Sequence, residues 1–164
     1  MNIPKQPPGP DEESVWDYPR PPRCEKFHGA IRVMVGDTMV ANTTECYRVL
    51  ETSHPPVYYI SPQHIQTSLL EQSAGSSWCE WKGRATYHRL ILPDRTIDNV
   101  AWSYENPAAA FADIRGHLAF YPGRVDACYV NDERVATQPG DFYGGWITSN
   151  IVGPFKGSAG TAGW

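Results

Sequence analysis

The chain lacks most of the signatures that assign a protein to a class at sight. Apolar runs such as Leu90-Ile91-Leu92 fall far short of the roughly 20 residues a membrane helix requires. Residues 1–10 hold no apolar core of the kind a secretory leader carries, so the cytoplasm is the expected location and no membrane partner is expected. Cys24, Cys46, Cys79 and Cys128 are widely spaced with no C-x-x-C pair, which excludes a disulfide scaffold and points to reduced thiols. His28, His54, His64, His88 and His117 are also scattered singly, so no metal site and no cofactor are expected. Cationic excess is missing too. Fourteen Lys and Arg stand against 18 Asp and Glu, a net charge of −4, and nucleic acid is not an expected partner without a positive field.

Turns and rings are abundant instead: 15 Pro and 14 Gly accompany 6 Trp, 9 Tyr and 5 Phe in 164 residues. That balance predicts a mainly β fold, a compact single domain of short twisted antiparallel strands around an aromatic interior. Residues 1–24 form an irregular Pro-rich arm, where Pro7-Pro8, Pro10 and Pro21-Pro22 remove amide donors and lock φ. Trp16 and Tyr18 inside it predict that Val15-Trp16-Asp17-Tyr18 packs on the body. The body is expected over 25–156, with a flexible Gly-rich tail over 157–164 and loop beyond Gln138.

Candidate strands cover 31–35, 39–41, 47–50, 57–60, 84–92, 100–104 and 118–121, each short and bounded by turn formers. Val33 to Ala41 and Cys128 to Ala136 share turn residues at one offset and alternating apolar flanks, which suggests a pseudo-twofold pair of β units. Helix is scarce. One turn is expected after Asn106-Pro107, with Asn106 as cap and Gly116 as terminator, and a second at Ser61-Pro62-Gln63-His64.

Leu50-Glu51, Pro56-Val-Tyr-Tyr-Ile60, Cys79-Glu-Trp-Lys-Gly83 with Ala85 and Tyr87, Ala101-Trp-Ser-Tyr104 and Leu118-Ala-Phe-Tyr121 together resemble a largely bacterial family, the domain of unknown function 427. The similarity runs from about Phe27 to Ala136 and implies a compact fold of twisted antiparallel sheets. This sequence differs in having Glu80 and Trp81 where the family usually has Pro and Tyr, and His88 after Tyr87. The family is sometimes labelled a nucleotidyltransferase domain, but that chemistry needs paired carboxylates at a phosphate-cradling Gly-Ser turn. Gly75-Ser76 is followed by no Asp-x-Asp, and Asp94 and Asp98 fall in an apparent loop, so nucleotidyl transfer is not expected.

Ser76-Ser-Trp-Cys-Glu-Trp-Lys-Gly83 concentrates a thiol, an ammonium and two indoles. Among rings, Lys82 would serve as an anion anchor, base or Schiff-base amine, and its charge would favour a Cys79 thiolate. Strand alternation puts Cys79 and Lys82 on opposite faces unless the chain bends near Gly83. Their structural alternatives are a small buried thiol and a lysine stem laid over Trp78 or Trp81. Glu51 would pair with Lys82, as clamp or site, and His54 before two prolines would move protons or stand solvated. Tyr58, Tyr87, Trp102, Tyr104 and Tyr121 would bind ligand or simply pack. Arg115 and Arg124 would hold anions or form surface salt bridges. Three readings follow: a pocket for an unknown small molecule, an enzyme using Lys82, Cys79, Glu51 and His54 on a carbonyl, or a protein-interaction module built on the Trp16 arm.

Overall fold

The computed structural model describes residues 3–164, and its backbone is almost wholly strand and turn. In chain order, β1 (Glu13–Ser14) lies in the arm; β2 (Arg23–Val35) and β3 (Thr38–Leu50) form a long hairpin, and β4 (Val57–Tyr59) returns along β3. β5 (Leu70–Cys79), β6 (Gly83–Leu92) and β7 (Arg95–Tyr104) form an antiparallel meander closed by β8 (Leu118–Phe120). β9 (Ala127–Val130) and β10 (Glu133–Arg134) make a second hairpin, followed by the two-residue strands β11 (Ala136–Thr137), β12 (Trp146–Ile147) and β13 (Ile151–Val152).

Two main sheets result, in the orders β10-β9-β2-β3-β4 and β5-β6-β7-β8, beside the two-stranded pairs β1-β13 and β11-β12. They are stitched together by a reciprocal backbone pair between Ile60 and Leu118, at 2.8 and 2.9 Å. The joined wall curls on itself, because Ile31, Val33 and Val40 of the first sheet share one core with Leu90, Val100 and Phe120 of the second. Alternation drives this: in β2, Ile31, Val33 and Val35 are buried while Arg32 and Met34 between them are not. Every candidate strand falls within an observed one or at its end, and β2 and β3 prove longer than their apolar stretches. β5 was not anticipated, since an edge strand that buries almost nothing needs no apolar alternation.

Both expected helical turns form as 3-10 structure, Pro62–His64 as one turn and Ala109–Ile114 as two turns joined across a kink at Phe111. Pro62–His64 is capped by Ser61 Oγ, which accepts from Gln63 N. The other begins only at Ala109, because Ala108 is extended and donates its N–H to Lys82 O; Asn106 instead accepts from Arg115. The arm adds a turn at Val15–Asp17, where Val15 and Tyr18 bury against Leu50 and Ile151, and β1 pairs in parallel with β13.

The tail expected to be flexible is folded back. Thr161 Oγ1 accepts from Gly157 N, Trp164 meets Trp16 edge to face at 5.4 Å, and Trp16 Nε1 donates to Pro154 O. An indole at the end supplies the apolar surface that the glycines lack. The suspected repeat is local. Gly36-Asp37 and Asn131-Asp132 are both two-residue turns and β2 pairs with β9, but only Gly36 takes positive φ in the first turn while both residues do in the second, and the second hairpin pairs only two residues per arm. No helix among the described residues is long and apolar enough to cross a membrane.

Candidate functional site

A pocket of about 440 Å³ opens where the end of β3, the β5–β6 hairpin and β7 converge. The hairpin is closed by pairing of Cys79 with Gly83 across the turn Glu80-Trp81-Lys82. Gly83 sits at φ +109°, a conformation that side chains oppose, and this bend brings Cys79 and Lys82 to one pocket. The turn is pinned from the other side by the Ala108 N–H on Lys82 O.

Lys82 is only 8% exposed, yet among the described residues no carboxylate lies within 4 Å of its ammonium. Its Nζ stands instead 5.7 Å from the Tyr104 ring centre and 5.8 Å from that of Phe111. Ring faces attract a cation weakly compared with a carboxylate, so the charge is left available to something that enters the pocket.

The expected Glu51–Lys82 pair is absent, because Glu51 Oε2 is engaged by Arg20 Nη2 at 3.4 Å and lies 3.6 Å from His54 Nε2. Arg20 reaches it from the arm, where its guanidinium also donates to Thr52 O. His54 is buried against the Tyr143 ring and tied to Gln138, whose Oε1 accepts from Gly145 N. Gln138 Nε2 donates to Lys156 O at 2.9 Å and to His54 Nδ1 at 3.0 Å. Because Gly145 is a donor and Lys156 O an acceptor, the Gln138 amide has one orientation, and His54 Nδ1 must accept. The imidazole proton therefore sits on Nε2. Burial, then the charges of Lys156, Arg20 and Lys82, pull its pKa down to about 3.

The walls follow from strand alternation. On β4, Tyr58 turns into the core against Phe27 and Trp146, while Tyr59 lines the pocket. Tyr58, expected as a ligand contact, is thus placed on the opposite face. Trp102 and Tyr104 alternate along β7 onto the pocket side, Trp102 Nε1 donating to Tyr59 Oη at 3.3 Å. Tyr87 Oη donates to Ser77 Oγ and Tyr121 Oη to Phe142 O. Burial raises the Tyr104 hydroxyl well above its ordinary range, so it stays a neutral donor. Trp78 and Phe142, 75% and 61% exposed, stand at the rim.

Lys82, Cys79, Glu51, His54, Tyr87, Trp102, Tyr104 and Tyr121 all line this one hollow. A family model for a domain of unknown function (DUF427) matches residues 23–131. The chain belongs to the DUF427 family. No curated protein matches it. Tyr143 and Lys156, which close the pocket, and Gln138, which orients His54, lie beyond the DUF427 match, the first two in the segment expected to be loop. No local pattern marks them; only Tyr59 was recoverable, from the period of two.

Arg124 lies 3.8 Å over the Tyr121 ring and donates to Asn99 O and Asp141 O, and Arg115 contacts Asn106. Asp98 lies in β7, not in a loop, and faces Arg89 at 3.4 Å; Gly75-Ser76 lies within β5. Among the described residues no three His, Cys, Asp or Glu side chains gather at metal-binding spacing.

Proposed function

We propose that this DUF427 protein is a cytoplasmic small-molecule-binding β domain whose ligand enters the aromatic pocket around Lys82. The observation that carries the reading is a buried ammonium without a carboxylate partner among the described residues, beside a hollow of about 440 Å³, within the size range of small-molecule sites. A fold does not retain such a charge for its own stability, since burial costs it water and nothing in the protein repays that fully. Four free cysteines fit a reducing compartment, and a net charge of −4 fits a ligand other than nucleic acid or membrane lipid.

The catalytic reading has less support. Glu51 is committed to Arg20, and His54 holds its proton on Nε2 while Nδ1 accepts from Gln138, so neither is free to take a proton from Lys82 or Cys79. The interaction reading loses its free arm, because Trp16 is packed on Pro154 and Trp164.

Native mass spectrometry of freshly purified protein, with a thermal-shift screen of small metabolites, tests the proposal. A co-purifying mass, or a compound whose stabilisation disappears in Trp102→Ala, is the expected result. Absence of both across a broad screen would sink it.

A further inference from the structure

We infer that the ligand is a small organic carboxylate with a flat apolar body, its charge drawn to Lys82 and the His54 Nε2–H and its body laid among the rings. This rests on the pocket reading above and goes further by naming the ligand chemistry. The polar groups that the pocket offers are mostly donors. Lys82 and Lys156 contribute ammonium groups, Tyr104 a neutral hydroxyl and His54 an N–H whose position Gln138 dictates. Of the two lining carboxylates, Glu51 is neutralised by Arg20 and Glu80 is exposed on the hairpin turn.

A donor-rich, cationic interior selects an anion and repels an amine. The dimensions narrow the class. Among the described residues no arginine lines the pocket to offer the guanidinium fork that suits a phosphate dianion, whereas one ammonium and one neutral donor match a monoanionic carboxylate. Tyr59, Trp102, Tyr104 and Tyr121 line the interior, and the exposed Trp78 and Phe142 at the mouth offer ring faces to a planar group that projects out.

Gln138 is the positioning residue in this arrangement. It is almost wholly buried, hydrogen-bonds the pocket residues His54 and Lys156, and holds the imidazole so that an N–H, not a lone pair, points away from it, 3.6 Å from Glu51 Oε2. Around that ring lie Glu51, Arg20, Lys82, Lys156 and Tyr143, of which three are cations that oppose protonation at Nδ1.

Naphthalene-2-carboxylate and its isosteric neutral amide separate the possibilities, titrated into the full chain and followed by tryptophan fluorescence and amide chemical shifts. The carboxylate should bind at least tenfold more tightly than the amide, and the ratio should fall below twofold in Lys82→Met, whose fold is checked by circular dichroism. Equal affinity of the two probes overturns the anion assignment but leaves the pocket reading intact. Binding of neither overturns both. A preference that survives Lys82→Met removes Lys82 as the anchor and overturns the arrangement. Independently, long-range 15N–1H spectra should show His54 protonated at Nε2 and bare at Nδ1 throughout pH 5 to 8. An Nδ1–H tautomer, or a titration within that window, overturns the donor role.

Discussion

Arg48 and Lys82 are equally buried cations, 9% and 8% exposed, in two regions that treat charge in opposite ways. Arg48, on β3, reaches Glu13 at 3.0 Å and Glu25 at 3.3 Å, and Glu13 also accepts from Tyr18 Oη at 2.6 Å. That network locks the arm onto the sheet. Lys82 has only ring faces nearby, beside a hollow. A charge that is fully paired belongs to the architecture, whereas one left without a counter-ion next to empty space is available to a ligand.

The largest expected break in that comparison is Arg48→Met, which should cost about 3 kcal/mol in urea denaturation by leaving Glu13 without its ion partner and Glu25 with Arg23 alone. Next comes Gly144→Ala. Gly144 sits at φ +71°, and a Cβ there would meet the Trp102 ring at 2.7 Å and Tyr121 at 2.9 Å, so a loss of about 2 kcal/mol is expected, together with altered near-ultraviolet circular dichroism.

Acid should weaken both regions in different windows. The unfolded chain protonates His54 near pH 6.5, whereas the folded chain resists until about pH 3, so stability is complete above the upper value and falls as pH drops between them. The slope is about 1.4 kcal/mol per pH unit. His54→Asn, whose Oδ1 stands in for Nδ1 and does not titrate, should flatten it; His88 and His117, also held low by burial, leave a residual slope. At the other region, burial alone would raise Glu13, but hydrogen bonds from Arg48 and Tyr18 outweigh it and hold the carboxyl below its usual 4.5. That contribution is complete above this value and disappears only at lower pH. An unfolding curve measured between pH 3 and 8 for Arg48→Met and His54→Asn resolves the two.

Lys82→Met should move stability the other way, raising it by about 1 kcal/mol or leaving it unchanged, because an apolar chain of similar length removes a buried charge that nothing pairs. A marked loss of stability would show that Lys82 supports the fold after all. The smallest effect is expected at the rim: Trp78→Ala should stay within about 0.5 kcal/mol of the parent in thermal unfolding, while weakening binding of an aromatic probe.

Much of the fold was legible because its causes are local. Ile31, Val33 and Val35 alternate with polar neighbours, Gly36-Asp37 turns the chain, and Ser61-Pro62 starts a 3-10 turn, each a matter of a few adjacent residues. β5 was not legible, since its partner β6 and not its own composition makes it a strand. Nor was the docking of Trp164, which depends on Trp16 at the far end of the chain. At the site, the proximity of Cys79 and Lys82 follows from the turn at Gly83, whereas the partner of Glu51 does not: Arg20 arrives from the arm. Tyr58 and Tyr59 show the limit well, because a one-residue difference in register decides which ring enters the core and which the pocket.

Sequence alone determined that this chain would be a turn-rich β domain of the DUF427 type with an ammonium, a thiol and indoles close together on one hairpin, because short-range spacing dictates such things. Only tertiary structure decided that Lys82 would lack a counter-ion, that Arg20 would take Glu51, and that Gln138 would set the proton of His54. Those outcomes depend on which distant side chains meet, and a meeting in space leaves no periodic trace along the chain.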